Sequence, residues 1–499
     1  MNLAQNPPPR LENSTDSSQP ADSARPAPVL WVSWFPLFSV AVAAVGLRVA
    51  AARGDLVLDE IWSWRIAQGC DSIWQIFFNA VDNNHILNTL ALYGIDQHAP
   101  LWAFRLPAVL AGSLALWFAF RLVRRRGTAA VLCVLVLLGF SHLLILFGSE
   151  ARGYGDLACC TLAAWWALDR YFDRAQLRDA LMFGVASSLG VLSHPTFLFG
   201  WLAFGIYSLM KAGMRRYQWQ RLVVLNALPV MTCVVLLFTY FSGMGIGGGE
   251  PTTIADVLLA TLSLMAGGPE RGAAAYFAAG VMATLIAAAL AAEFRSDPAR
   301  GCLFLTAIVA APAVVLAVTG HAVLYPRYFL GPMIFAYVAV GLELSRWFRS
   351  GRIGSFLVTA LLIGYVGCNL APVVTLIREG RAQYSIAVRW IAEHTDGSVV
   401  SVASDHDFRN AWVIDFYAVR DTQAYAARSK ALEYASSDGY AAEQRKLGTE
   451  WYLRHTFSGD GAPADSFTDL SGNKYELVKV FPAGSISGWT WWLYQRQRP

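Results

Sequence analysis

The sequence alternates between apolar runs long enough to cross a lipid bilayer and short loops rich in arginine. A membrane-spanning helix needs about 20 predominantly apolar residues. Only 15% of the residues are charged, against about 25% in soluble domains. We therefore predict an α-helical polytopic membrane protein with about eleven transmembrane helices. The predicted spans are residues 29–50, 103–121, 128–147, 154–169, 180–193, 195–210, 222–241, 272–293, 301–318, 328–345 and 354–373.

Basic residues fall in alternate loops between these runs. Because cytoplasmic loops carry an excess of Lys and Arg, we predict that these loops face the cytoplasm of a bacterial cell, across the cytoplasmic (inner) membrane. The N-terminus is then inside and the C-terminus outside. The alternation requires two short spans that turn near His194 and Pro195, because a single tilted span over residues 180–210 would break it. The basic clusters are Arg121 with Arg124, Arg125 and Arg126; Arg170, Arg174 and Arg178; Lys211, Arg215, Arg216 and Arg221; Arg295 and Arg300; and Arg346, Arg349 and Arg352.

Composition divides the chain into three parts. Residues 1–28, rich in Pro, Ser and Asn, are predicted to form a disordered cytoplasmic tail. Residues 29–373 form the membrane domain, with an acidic outer loop at 51–101 and a second outer segment, 242–271, whose glycine-rich start precedes an apolar stretch typical of an interfacial helix. Residues 374–499 mix helical and strand patterns and are predicted to form a small extracytoplasmic α/β domain. The basic residues mark topology, so no nucleic-acid partner is expected.

Two adjacent carboxylates, Asp59 and Glu60, follow the first span. A carboxylate at this depth can act as a general base on an acceptor hydroxyl. We expect the like charge of Glu60 to raise the pKa of one of the two groups. The pair fits a second interpretation equally well, because acidic residues favour the N-terminus of a helix that begins near Leu58.

Other polar residues map to the outer ends of the spans. Asp82 or a neighbouring Asn is expected to cap a helix on which His85, Asn88 and Thr89 share one face, either as a binding surface or as a solvated face. Glu150 and Arg152 follow the third span, as a structural ion pair or as groups at a water-filled cavity. Arg327 can meet a lipid-linked phosphate or reach the lipid headgroups. The remaining candidates are His194, His321, Tyr328 and Arg65.

All of this candidate chemistry lies on the outer side, where nucleotide sugars and ATP are not normally supplied. The sequence has no GxxxxGK[ST] phosphate loop, Rossmann fingerprint, HExxH motif or nucleophile elbow. A substrate attached to a lipid carrier fits this arrangement better than a soluble nucleotide sugar. Membrane lipid is also an expected partner, because it surrounds the spans.

Five short motifs, in order over about residues 29–345, resemble the glycosyltransferase-C (GT-C) superfamily, in the branch of the protein O-mannosyltransferases and the lipid A aminoarabinose transferase. The C-terminal part resembles the small periplasmic domain of many members. His85 is followed by Ile where relatives often have Pro. The motifs are Asp59-Glu60; Asn83-Asn84-His85-Ile86 with Arg105-Leu106-Pro107; Ser149-Glu150-Ala151-Arg152-Gly153-Tyr154; Ser193-His194-Pro195-Thr196-Phe197; and Arg327-Tyr328-Phe329-Leu330-Gly331-Pro332.

The resemblance implies transfer of one sugar, with inversion, from a polyprenyl-phosphate carrier to an acceptor hydroxyl on a glycan, lipid or protein. Asp59 would be the base, and Glu60 and Glu150 would orient the sugar, the acceptor or the base. Arg152, Arg327 and His85 would offset the negative charge on the leaving phosphate. Arg65, His194 and Tyr328 are further candidate donor contacts. No cofactor is required for a phosphate monoester leaving group, although Asp59, Glu60 and Glu150 are a candidate set for a divalent cation.

Two other functions compete with this one. A lipid-linked polysaccharide polymerase or ligase would use a diphosphate-linked donor and would need more clustered outer cations than the sequence offers. A lipid-glycan transporter would show internal repeats and ionisable residues at mid-membrane depth, and the sequence shows neither.

Overall fold

The computed structural model describes residues 31–215, 219–245, 252–319, 324–420, 431–436, 442–457, 460–484 and 488–498. The predicted N-terminal tail, His321 and most of the glycine-rich stretch at 243–249 lie outside these residues. The described helices of the first 380 residues begin and end as follows: α1 Trp31–Ala51, α2 Leu58–Gln68, α3 Ile86–Leu92, α4 Leu101–Val123, α5 Thr128–Phe140, α6 His142–Phe147, α7 Tyr154–Arg174, α8 Leu177–Ser193, α9 Phe197–Arg215, α10 Trp219–Thr239, α11 Ile254–Ala266, α12 Ala273–Ser296, α13 Pro298–Leu305, α14 Ala311–Thr319, α15 Leu330–Phe348 and α16 Arg352–Glu379.

Each predicted span coincides with one of these helices or with a broken pair. The third span is divided at Ser141 into α5 and α6, and the ninth contains a π-helical segment, Thr306–Ala310, between α13 and α14. The turn at His194 separates α8 from α9, as the arginine alternation requires. The protein is therefore a helical polytopic membrane protein.

Six described helical segments are long and apolar enough to cross a membrane by length and composition. Others, such as Thr128–Phe140 and Phe197–Gly213, are apolar but shorter. The number of eleven crossings therefore stays a prediction. The six segments are Leu101–Arg126, Gln220–Gly243, Ala273–Ser296, Pro298–Ala317, Pro326–Phe348 and Arg352–Glu393.

The basic clusters gather at one end of the helical body. Side chains from successive loops meet there, so these loops share one side. The contacts are Arg125 with Asp173, Arg170 with Asp179, Lys211 with Asp297, Arg346 with Glu293, and Arg349 with the Arg126 carbonyl. The basic clusters therefore also connect neighbouring helices, through ion pairs with acidic residues of the same loops.

The C-terminal part forms a small domain with two helices, α17 Tyr384–Glu393 and α18 Asp407–Arg420, and one sheet. The sheet order is β2-β1-β3-β6-β5-β4, with β1 parallel to β2 and β3 and the other pairs antiparallel. The sequence pattern predicts a helix over residues 384–394 and strands over 398–404, 475–481 and 489–494, which correspond to α17, β1, β5 and β6; it does not predict α18. The strands are β1 Val399–Ser404, β2 Ala431–Ala435, β3 Trp451–Thr456, β4 Ser466–Thr468, β5 Lys474–Phe481 and β6 Thr490–Arg496.

This domain packs on residues 51–101, the loop predicted to be the first outer loop, through a shared apolar core. Leu58, Ile61 and Trp64 of α2 are buried with Val388 of α17 and Val413 of α18. The Asp55 carboxylate accepts hydrogen bonds from the backbone N–H and the hydroxyl of Ser385, at 2.7 and 2.8 Å. The core therefore fixes α2, and every side chain on it, against the C-terminal domain.

Candidate active site

Asp59 lies in the first turn of α2, which begins at Leu58. Its side chain is 31% exposed. Its Oδ2 atom accepts a hydrogen bond from Arg152 Nη1 at 2.8 Å and lies 3.6 Å from Arg327 Nη1. The carboxylate therefore sits at a helix N-terminus, as one sequence interpretation expects, and also meets two arginines from distant segments, while its role as a general base stays a prediction.

Asn83 fixes the relative position of Asp59 and Arg152. Its Oδ1 atom accepts a hydrogen bond from Arg152 Nη2 at 3.0 Å. Its Nδ2 group donates to the Asp59 carbonyl at 2.8 Å and to Ser63 Oγ at 3.0 Å. The amide thus holds the guanidinium against the carboxylate.

Two histidines and a tyrosine line the same cluster. The rings of His85 and His194 stack at 5.0 Å, and Tyr154 lies 5.5 Å and 4.9 Å from them, measured between ring centroids. The Arg152 guanidinium lies 5.1 Å from the Tyr154 ring. The structure therefore brings together His85, Arg152 and His194 as predicted from the sequence, and adds Tyr154.

Tyr328 stands at the edge of this group. Its ring lies 6.5 Å from that of His194, and the Arg327 guanidinium lies 5.8 Å from it and 4.5 Å from the ring of Tyr325. These two tyrosines hold Arg327 in position without neutralising it.

Several buried polar atoms of the cluster have no hydrogen-bond partner within the described part of the chain. They are His85 Nε2, Tyr154 Oη, Arg152 Nε and Arg327 Nε. A buried donor or acceptor without a partner is destabilising by about 1–3 kcal/mol. Their concentration in one place indicates a position for a polar ligand.

Both histidines are neutral near physiological pH. Burial, reinforced by the nearby Arg152 guanidinium, holds the pKa of His85 well below its ordinary value and lowers the pKa of His194 to about 3. The expectation that His85 helps to offset negative charge on the leaving phosphate stays a prediction. Its imidazole can act only as a neutral hydrogen-bonding group.

His85 is also the residue that precedes α3, so the expected cap at Asp82 or a neighbouring Asn is absent.

Glu60 is fully buried and bound on all sides. Its two carboxylate oxygens accept hydrogen bonds from Arg105 Nε at 2.7 Å and Arg105 Nη2 at 2.6 Å. The backbone N–H groups of Ala151 and Val57 also donate to it, at 2.8 and 3.0 Å. No lone pair of Glu60 is left for a sugar or an acceptor, so the expected direct contact with a substrate is wrong, while a role in orienting the base stays a prediction.

Glu150 is buried beside Arg381, which lies just after α16. Its Oε1 atom accepts a hydrogen bond from Arg381 Nη1 at 2.9 Å, and Arg381 Nη2 donates to Ser149 Oγ at 2.9 Å. Burial raises the pKa of Glu150, and the Arg381 charge offsets this only in part. The structural-pair interpretation holds for Glu150, with Arg381 as the partner in place of Arg152.

The pKa values of the two adjacent carboxylates both move down. Burial alone would raise the pKa of Asp59, but Arg152 and Arg327 outweigh it and hold the pKa below its ordinary value. Burial also opposes the ionised form of Glu60, and Arg105 overcomes that effect. Like-charge repulsion from Glu60 does act to raise the pKa of Asp59, but the expected net rise is wrong, because each carboxylate has its own guanidinium partner.

Arg65 and the candidate cation site differ from the sequence-based expectations. Arg65 pairs with Asp415 of α18, away from the Asp59 cluster. Among the described residues, no three His, Cys, Asp or Glu side chains gather in a metal-binding arrangement. Asp59, Glu60 and Glu150 do not converge, since each pairs with a different arginine.

Sequence reasoning gave no role to Asn83, Arg105 or Arg381. Asn83 and Arg105 fall inside two of the motifs that resemble the family. Their position in these motifs is the sequence signal that could have identified them as site residues. Arg381 lies outside all of those motifs and meets Glu150 only through the fold.

Comparison with known proteins connects this geometry to a family. The family described as "Dolichyl-phosphate-mannose-protein mannosyltransferase" matches residues 92–242. The structure of ArnT from Cupriavidus metallidurans bound to undecaprenyl phosphate superimposes with a TM-score of 0.51 over 86% of this chain and 94% of that chain, at 12% identity. The chain has the GT-C fold.

This fold confirms the resemblance drawn from the sequence motifs. The apo oligosaccharyltransferase of Archaeoglobus fulgidus is also similar, with a TM-score of 0.47 and 12% identity over 85% of this chain and 69% of that chain. The sequence matches no curated relative. The family match includes Glu150, Arg152 and His194, while Asp59 and Arg327 lie outside it and rest on the sequence motifs and the geometry.

Proposed function

We propose that this GT-C protein transfers one sugar, with inversion, from a polyprenyl-phosphate carrier to an acceptor hydroxyl on the outer face of the membrane, with Asp59 as the general base. The observation that carries the proposal is one partly exposed carboxylate held between the guanidinium groups of Arg152 and Arg327. The cluster lies in the part of the fold that joins the first outer loop to the turns after α6 and before α15.

The charge of this cluster matches the reaction. Two guanidinium groups and one carboxylate leave one positive charge, which the single negative charge of a polyprenyl sugar phosphodiester neutralises. The acceptor oxygen attacks the anomeric carbon, and the bond from that carbon to the phosphate oxygen breaks with its electron pair on the phosphate. The acceptor proton passes to Asp59. The products are a neutral carboxylic acid and a phosphate monoester dianion, so the total charge at the site is zero before and after transfer.

Asp59 has a free oxygen for the proton. Both arginine contacts fall on Oδ2, and no hydrogen bond to Oδ1 occurs among the described residues. A retaining reaction would need a second available carboxylate as nucleophile. Glu60 and Glu150 are held by Arg105 and Arg381, so a single displacement with inversion fits better.

Donor binding would also prepare the base. In the free protein the two arginines depress the pKa of Asp59, which makes it a weak proton acceptor. A phosphate anion on the same guanidinium groups offsets their field, so the pKa of Asp59 rises toward its ordinary value when donor is bound. His85 Nε2 and Tyr154 Oη, which have no partner in the described structure, are suited to hydrogen-bond the phosphate or the sugar.

The relatives support the donor class. The ArnT structure contains undecaprenyl phosphate, and the family's description names dolichyl-phosphate-mannose. Two arginines meet the charge of a monoester leaving group, so we propose that no divalent cation is required. The acceptor can be a glycan, a lipid or a protein hydroxyl.

The test is turnover by the purified protein in detergent with a set of undecaprenyl-phosphate sugars, compared with the corresponding nucleotide sugars. We expect transfer or slow hydrolysis with a lipid donor only, unchanged by EDTA. The Asp71→Asn variant is the matched control for Asp59→Asn. Asp71 is an exposed carboxylate of the same loop, and it contacts Gln75. Efficient use of a nucleotide sugar without lipid carrier would contradict the proposal.

A further inference from the structure

The first turn of α18 lies beside the exposed face of α2. Trp62 follows Asp59 by three residues, so the two share one helix face. The ring of Trp62 lies 5.0 Å from that of Phe408 and 6.2 Å from that of Trp412. The C-terminal domain therefore borders the side of α2 that carries Asp59, and Arg409 is the next residue after Phe408.

Arg409 is held in place by a chain of hydrogen bonds through His455 and Asp405, called here the relay. Its Nη1 group lies 2.9 Å from His455 Nε2. His455 Nδ1 lies 2.9 Å from Asp405 Oδ1, and the His455 backbone N–H donates to Asp405 Oδ2 at 3.0 Å. For Nε2 to accept from Arg409, the imidazole must be neutral with its proton on Nδ1, the tautomer that Asp405 stabilises.

The charge of Arg409 is not neutralised by this relay. No carboxylate lies within ion-pair distance of Arg409 among the described residues. Its guanidinium stacks 4.6 Å from the Phe457 ring. It is nevertheless close enough to contribute to the lowered pKa of Asp59, after Arg152 and Arg327, and to oppose the burial that raises the pKa of Tyr325. By contrast, Arg65 on the same border is neutralised by Asp415.

Aromatic side chains lie next to Arg409 and His455. The ring of Trp489 lies 5.8 Å from that of His455 and 6.3 Å from that of Phe457. Its indole Nε1 is buried without a hydrogen-bond partner in the described structure. Aromatic faces with one polar edge suit the apolar face and hydroxyl groups of a sugar ring.

We propose that Arg409, Phe457 and Trp489 form an acceptor subsite on the C-terminal domain, specific for a sugar that carries a phosphate or carboxylate group. The inference rests on the proposed function, in which Arg152 and Arg327 already hold the donor phosphate. A third guanidinium, carried by the helix that packs beside Trp62 on α2, then meets an anion of the acceptor and fixes the acceptor hydroxyl near the base. His455 is a positioning residue for Arg409.

The experiment measures binding of glucose 6-phosphate, glucuronate and glucose to the full-length protein by saturation-transfer NMR, with undecaprenyl phosphate present to fill the donor site. We expect at least one of the two anionic sugars to bind about 10-fold or more tightly than glucose. Which of them binds identifies the anionic group. Arg409→Ala should abolish this preference. Arg454→Ala should keep it, because Arg454 is an exposed arginine on the neighbouring strand position with no ion pair among the described residues.

A second pair of variants tests the relay. His455→Gln retains an acceptor for Arg409 and should keep most of the preference, whereas His455→Leu should lose it at unchanged thermal stability relative to His455→Gln. Equal binding of all three sugars to the wild type, or an Arg409→Ala variant that keeps the preference, would overturn the proposal. If increasing undecaprenyl phosphate displaces glucose 6-phosphate, Arg409 contacts the donor phosphate, and the acceptor subsite is wrong.

Failure of the proposed function has a different signature. In that case undecaprenyl phosphate would not bind at all, or its binding would be insensitive to Arg152→Ala. The anionic-sugar preference is measured separately, so the two failures are distinguishable.

Discussion

Asp59 Oδ2 and Arg152 Nη1 lie 2.8 Å apart, although the two residues come from the outer loop after α1 and from the turn before α7. The pair joins a partly exposed carboxylate to a buried guanidinium. Arg327 adds a second cation on the same oxygen at 3.6 Å. Because the partly exposed carboxylate is outnumbered by its cations, we propose that the site attracts an anion and retains a base.

The two arginines are expected to bind the donor phosphate through their charge and their planar geometry. Replacing Arg152 or Arg327 by Lys keeps the charge but loses the fork of donors, so donor KM should rise and activity should fall less than in the Ala variants. Steady-state kinetics with a polyprenyl-phosphate sugar measure this order. If both Ala variants keep normal donor KM and turnover, the arginines only anchor the protein to lipid headgroups.

Glu60 should matter for stability more than for chemistry. Glu60→Gln leaves the fully buried Arg105 without its charged partner, and breaking such a pair destabilises by about 3–5 kcal/mol. We expect a lower unfolding temperature in detergent and a lower yield of folded protein, with turnover per folded molecule close to wild type.

The control for this prediction is Asp71→Asn, which removes an exposed carboxylate of the same loop. A Glu60→Gln protein that is as stable as wild type but lacks turnover would contradict the structural role of Glu60.

The pH dependence should differ between kcat and kcat/KM. In the free protein Arg152 and Arg327 hold the pKa of Asp59 below its ordinary value, so the acid limb of kcat/KM should lie at low pH. Bound donor phosphate offsets these charges, so the acid limb of kcat should lie at higher pH. Arg327→Gln removes one cation and should move the acid limb of kcat/KM upward. An acid limb that is the same for both parameters, and is unmoved in Arg327→Gln, would exclude Asp59 as the titrating base.

Much of the fold follows from local sequence patterns. Each apolar run predicted a helix because membrane spans must satisfy their backbone hydrogen bonds internally. The turn at His194 follows from the arginine alternation. Helix α18 escaped prediction because its apolar residues, such as Val413 and Phe416, are interleaved with charged ones that contact α2 and β3.

The candidate site was predictable only in part. Asp59, His85, Arg152, His194 and Arg327 come from separate motifs that the fold brings together, as the family resemblance implied. Local sequence could not assign Glu60 and Glu150 to their partners, because Arg105 and Arg381 lie far along the chain. The contacts distinguish an exposed carboxylate from two buried ones, a difference that residue type alone does not contain.

The most direct test of the account is single-turnover sugar transfer by Asp59→Asn, measured at equal expression beside wild type, Asp71→Asn and Glu150→Gln. Asn keeps the shape of the side chain but cannot accept the proton. The Asp59→Asn protein should therefore fold and bind undecaprenyl phosphate while losing a factor of about 10² to 10⁴ in rate. An Asp59→Asn rate within a few-fold of wild type would contradict the assignment, and a large loss in Glu150→Gln at unchanged stability would move the base to Glu150.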